Sequence, residues 1–178
     1  MDNSWECGDS FEILPSLSDN SVQCILTDVP YDLNAKQKLF LHKQFKRICF
    51  GTIIVFSPPD NPWILPADQY LFWIKPISTK NTSRSYSRFV EQIFVYHSGL
   101  VYRWNCDRHW SQYTNVFMDL VDDSGLHAHR KPPSLIERLI RNHTDPGDTI
   151  LDPFAGSGVV RDVGNALGRI VISIEKEV

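Results

Sequence analysis

The chain has 178 residues, 42% of them hydrophobic, including five Trp, six Tyr and ten Phe. That is enough apolar surface for one domain with a real core, and it excludes a disordered chain. The formal charge of −3 excludes a globally basic nucleic-acid binder, so any such surface has to be local.

In chain order, the polar opening Met1-Asp2-Asn3-Ser4 does not read as a signal peptide, and no apolar run approaches membrane-spanning length. A cytoplasmic protein without membrane contact is expected. Residues 22–27 form a short apolar run that ends at Asp28-Val29-Pro30-Tyr31, and 52–57 form a second that ends at Pro58-Pro59. Residues 70–74 and 92–96 are a third and a fourth; all four predict strands. Residues 134–141 have helical spacing, with Leu135, Leu139 and Ile140 on one side. A turn at Asp145-Pro146-Gly147-Asp148 leads into a strand at Ile150-Leu151, a helix over 159–167 and a last strand over 170–174. Cys7, Cys24, Cys49 and Cys106 are widely spaced with no Cys-x-x-Cys; Cys24 and Cys49 lie in apolar runs and read as buried thiols, and no metal is expected. Strands with loops at their carboxyl ends, separated by helical segments, predict an α/β domain with a mainly parallel sheet and helices on both faces. The loops after Thr27 and Leu151 should then share one edge. Residues 77–126, aromatic, polar and locally basic, fit this scheme least and read as a surface insertion with one or two strands.

Two segments carry chemistry. Asp152-Pro153-Phe154-Ala155-Gly156-Ser157-Gly158 follows an apolar strand and opens a helix, the arrangement in which glycines let backbone approach a nucleotide-like ligand. Glu175, at the end of the next strand, stands where a carboxylate receives ribose hydroxyls, or else is a solvated charge. Asp28-Val29-Pro30-Tyr31 offers a carboxylate, a backbone carbonyl and an aromatic ring at a strand end. An amino group on a nucleobase needs this set, because its lone pair is delocalised and two acceptors would make the nitrogen more nucleophilic. Tyr31 could stack on the base, worth about 1–3 kcal/mol. The same tetrapeptide could also be an ordinary strand exit.

Taken together the segments resemble the amino-group (adenine-N6/cytosine-N4) DNA methyltransferases of the permuted, beta-class motif order. Gly8-Asp9, Asp28-Val29-Pro30-Tyr31, His129-Arg130-Lys131-Pro132, the loop 152–158 and Ile174-Glu175 occur in the family's order. The resemblance implies a Rossmann-like S-adenosylmethionine-dependent fold in one domain, 1–178, with a variable insertion at about 77–126. It implies methyl transfer from S-adenosylmethionine to adenine N6 in DNA, with Asp28, Val29, Pro30 and Tyr31 catalytic. Asp152, Phe154, Gly156, Ser157 and Gly158 would line the cofactor's methionine and ribose, and Glu175 would accept from the ribose. Asp9 would lie near its adenine, and Lys131 near its methionine carboxylate.

Val29 stands where the family has proline, a loss of preorganisation worth roughly 0.4–1 kcal/mol, and Val159-Val160 replace hydroxyl residues. Both leave room for a weakened, DNA-binding or regulatory relative; cytosine-N4 is the other reading. DNA contact would fall to Lys80, Arg84, Arg88, Arg103 and Arg108, joined by Lys75, Arg130 and aromatic residues such as Trp104. So short an insertion implies a short recognition site, relaxed specificity or help from a homodimer partner.

Overall fold

The computed structural model describes residues 4–63, 65–75, 89–101, 103–105, 113–119 and 130–176. Eight strands form one sheet: β1 (Ser4–Cys7), β2 (Val22–Asp28), β3 (Cys49–Ser57), β4 (Gln69–Ile74), β5 (Val90–His97), β6 (Val116–Phe117), β7 (Thr149–Asp152) and β8 (Ile170–Glu175), in the order β1-β8-β7-β2-β3-β5-β4-β6. Among the described residues only β5 runs against its neighbours, β3 and β4, so the sheet is mixed and mainly parallel, as predicted.

The central strands are apolar on both faces because helices cover both. Ile25 belongs to a core with Leu41, Phe45 and Ile48 of α2 (Ala35–Ile48), while its neighbours Cys24 and Leu26 point the other way. That second face packs on Leu135, Leu139 and Ile140 of α3 (Pro133–His143) and on Val159 and Val160 of α4 (Val159–Ala166). A short α1 (Ser10–Ile13) precedes β2. Cys24 and Cys49 are buried thiols.

Within 77–126 the described residues supply two strands, in line with the one or two expected. These are β5, which lies inside the sheet with Ile93 and Val95 fully buried, and β6, which pairs with β4.

From β2 the chain crosses through α2 to β3 on one side; from β7 it crosses through α4 to β8 on the other. The adjacent strands β2 and β7 therefore flank the point where the winding reverses. A crevice opens at the carboxyl ends of strands at such a point. Among the described residues no helix is long and apolar enough to cross a membrane.

Candidate active site

Register fixes the two chemistry-bearing loops side by side. Cys24 and Ile25 of β2 pair with Ile150 and Leu151 of β7, so Asp28 and Asp152 emerge at the same edge. A cavity of about 230 Å³ lies between them, lined by Thr27, Asp28 and Pro30 on one side and by Asp152, Phe154, Gly156, Ser157 and Glu175 on the other. Lys131 also lines it.

On the β7 side the glycines fit the backbone they occupy. Gly156 (φ 46°) and Gly158 (φ 73°) are left-handed, which favours residues without a side chain. A Cβ on Gly156 would meet nothing within 4 Å, so this turn presents bare backbone to open space. Its N–H donates to Glu175 Oε2 at 2.5 Å, and Ala155 N–H donates to the Ile174 carbonyl at 3.0 Å. The end of β8 is thereby tied to the loop. Asp152 is buried, which pushes its carboxyl up to about 7, although the Thr27 hydroxyl and the Phe154 amide pull the other way. Asp9 stands one strand further out, where β1 pairs with β8 and Cys7 faces Glu175. It caps α1 by accepting from Phe11 N–H at 2.9 Å and pairs with Lys176 at 3.1 Å. The Phe11 amide and Lys176 hold it below the usual carboxylate range.

On the β2 side, Val29 turns its side chain inward, among Leu33 and Phe45 in the core. Val29 is absent from the cavity lining, so any contribution there would be confined to its backbone. Tyr31 is 45% exposed and free of the core, and its carbonyl accepts from Asn61 Nδ2 at 2.8 Å.

Asp28 is the centre of charge. Its Oδ2 accepts from the Lys131 ammonium; its Oδ1 is buried and has no hydrogen-bond partner among the described residues. Burial raises the carboxyl above its ordinary value, partly offset by Lys131. Lys131 Nζ also lies 3.3 Å from Glu91 Oε2, and Glu91 Oε1 accepts from Lys75. Burial opposes the charge on Lys131, but Asp28 and Glu91 outweigh it and hold the ammonium protonated; two lysines likewise outweigh burial at Glu91. Lys131, expected near a cofactor carboxylate, lines the cavity and pairs there with Asp28 and Glu91. Sequence reasoning did not single out every charge of this group. It missed Glu91 altogether, whose one signal was a lone acid inside an apolar strand.

Of the expected DNA-contacting residues, only Arg103 and the accompanying Lys75, Arg130 and Trp104 lie among the described residues. Arg103 pairs with Asp145 and, at 3.5 Å, Asp148. Both flank the turn that enters the amino end of β7, so Arg103 lies at the edge opposite the cavity. Trp104 packs its ring on Tyr113 and His143, each at 5.3 Å between centroids. Lys75 is buried against Glu91, and Arg130 is buried, donating to the Ser157 carbonyl at 2.9 Å and pairing with Asp162. Lys80, Arg84, Arg88 and Arg108 lie outside the described residues.

A family model described as DNA methylase (N6_N4_Mtase) matches residues 51–178, beginning after Asp28-Val29-Pro30-Tyr31. The Type II methyltransferase M.HinfI of Haemophilus influenzae is 45% identical over 60 residues, 33% of this chain but 17% of that protein, so the shared stretch is well under a quarter of the curated relative. Among solved structures, the M1.HpyAVI–SAM complex superposes with a TM-score of 0.79 and 25% identity, covering 100% of this chain and 95% of that one. The PvuII DNA methyltransferase, described as cytosine-N4-specific, superposes with a TM-score of 0.81 at 18% identity, covering 99% of this chain and 83% of that one; it speaks for the fold alone.

Proposed function

Since this chain belongs to the DNA methylase family, we propose that it transfers a methyl group from S-adenosylmethionine to the exocyclic N6 amine of adenine in DNA. The observation that carries the reading is the single cavity shared by Asp28 and by the glycine loop with Glu175. A donor site and an acceptor site must adjoin for in-line transfer, and alignment of this kind supplies much of the acceleration.

The residues present fit the cofactor. The left-handed turn at Gly156 with open space before it can receive a ligand's backbone-like edge, and Glu175 offers a carboxylate for ribose hydroxyls. Phe154, Ser157 and Gly158 would complete the cradle, and Asp152 would lie beneath the methionine part. Bound there, S-adenosylmethionine would supply an electrophilic sulfonium methyl.

The protein's own part is to hold the amine. A target base flipped from the duplex, at a cost of a few kcal/mol, would place its amino group by the Asp28 carboxylate where it lines the cavity. The Val29 carbonyl would take the second amino hydrogen, and exposed Tyr31 would stack on the ring. The proton that the amine must shed on methylation would pass to Asp28 and on to solvent. An aspartate in the first position favours adenine, since the family's cytosine-amine enzymes more often begin with serine there. DNA is the partner of this reading, and a second protomer would widen the contact surface.

Purified protein should move labelled methyl groups from S-adenosylmethionine onto adenine in duplex DNA, and Asp28→Ala should lower the rate by at least about a hundredfold. Label found only on cytosine would reassign the base. Undiminished activity in Asp28→Ala would remove the proposed mechanism.

A further inference from the structure

Four charges alternate in a line leading away from the cavity: Asp28 of β2, Lys131 before α3, Glu91 of β5 and Lys75 after β4. Lys131, Glu91 and Lys75 have side chains less than a tenth exposed, whereas Asp28, at 29%, is the most exposed of the four. Burying ionised groups is costly even when they are paired, and apolar residues would serve stability as well or better. Such a chain at a cleft carboxylate points to a use there. Its geometry is asymmetric: Lys131 takes Oδ2 of Asp28 and leaves Oδ1 buried and unpartnered.

We propose that Lys131 is a positioning residue for the methyl acceptor. It fixes the Asp28 carboxylate through Oδ2 and so sets the face that this carboxylate turns to the amine at the cavity. Glu91, anchored by Lys75, draws the ammonium part of the way off Asp28, which keeps that carboxylate a strong acceptor. The inference rests on Asp28 being the carboxylate that holds the amine.

The two partners of Lys131 give opposite consequences. Replacing the Lys131 ammonium leaves Asp28 buried without its counter-ion, so Asp28 takes up a proton at higher pH. Replacing the Glu91 charge removes a like-charged neighbour and yields Lys131 wholly to Asp28, so Asp28 stays ionised to lower pH but binds the amine less well. The other groups acting on Asp28 are Lys75 from the end of β4, Tyr31 from its own loop and Asp152 from β7. They are common to both variants.

The test is single-turnover methyl transfer across pH 5.5 to 9 in the wild-type protein, Lys131→Met, Lys131→Arg and Glu91→Gln. NMR titration of the labelled Asp28 carboxyl in the cofactor-free protein is followed alongside. In Lys131→Met the acid limb and the Asp28 titration should both move up by about one pH unit or more, with the plateau rate down about tenfold or more. In Glu91→Gln both should move down, with a lowered plateau, while S-adenosylmethionine affinity by calorimetry stays within about twofold. Lys131→Arg should restore most of the rate and keeps the test open should Lys131→Met not fold. Displacement of both variants in the same direction would overturn the proposal. So would an unchanged profile with only cofactor affinity lost, which would return Lys131 to the cofactor carboxylate. Activity surviving in Asp28→Ala would instead sink the underlying assignment of Asp28.

Discussion

Asp152 shows how a single residue can be named by a motif while its chemistry is set elsewhere. Its carboxyl is buried and pushed from 3.8 up to about 7. A carboxyl raised in the folded state binds its proton more tightly there than in the unfolded chain. Stability from this group is therefore greatest below about pH 4 and falls until pH passes about 7, by roughly 4 kcal/mol at about 1.4 kcal/mol per unit. Asp9 and Glu91, held low, contribute with the opposite sign, so the effect is best read as a difference between proteins. Urea unfolding at pH 5 and pH 8 should show Asp152→Asn gaining on wild type at the higher pH by roughly 3 kcal/mol. An equal difference at both pH values would refute burial as the cause. The glycine spacing made Asp152 legible in the sequence, but not its protonation, because Thr27 and the strands that exclude water come from distant parts of the chain. Glu91 was illegible for the same reason: only the β4–β5 and β3–β5 pairings bring it to Lys131.

At the scale of elements, α2 was the largest omission from the sequence reading. Its buried stripe is Lys38, Leu41, Phe45 and Ile48, helical in spacing but headed by a lysine. The overlooked signal was the capping box, in which Asn34 and Gln37 bond each other's backbone at 3.0 and 2.9 Å. Lys38 is buried because its ammonium donates to the carbonyls of Asn61 and Pro62, at 3.0 and 2.8 Å. Asn61 in turn donates to the carbonyls of Tyr31 and Leu33. The helix thus braces the loop that carries Tyr31. Asn61→Ala should lower stability by about 1–3 kcal/mol and speed hydrogen exchange in residues 31–33; unchanged exchange there would show the brace to be incidental. Packing of α4 on β8 gives a second expectation. A Cβ on Gly164 would come within 2.5 Å of Val171 Cγ2, and that valine is fully buried and stiff. Gly164→Ala gains up to about 1 kcal/mol of helix propensity but forces the helix off the sheet. The expected net result is a loss of about 1–2 kcal/mol in chemical denaturation, and any gain would mean the contact relaxes freely.

For the molecule as a whole, chain order and spatial order separate. The tetrapeptide at the end of β2 precedes the glycine loop at the end of β7 by more than a hundred residues, yet the strands are neighbours. Apolar runs and loop chemistry made this permuted α/β plan legible. The antiparallel insertion of β5 was not, because strand direction depends on pairing partners rather than on local pattern. One cavity shared by both loops implies that they respond together. A ligand bound only to the folded state stabilises it by about 2.7 kcal/mol at a hundredfold excess over Kd, and the slowing of amide exchange should concentrate where contacts form. S-adenosylmethionine should therefore protect residues 152–158 and also residues 28–33, which would hold the acceptor on the proposed function. Residues 103–105 lie at the opposite edge, with Arg103 held by Asp145 and Asp148, and local protection there should be least. Hydrogen exchange read by mass spectrometry with and without the cofactor distinguishes the cases. Protection confined to 152–158 would mean that the donor and acceptor halves are not coupled through the cavity, and Asp28 would then need another ligand to organise it.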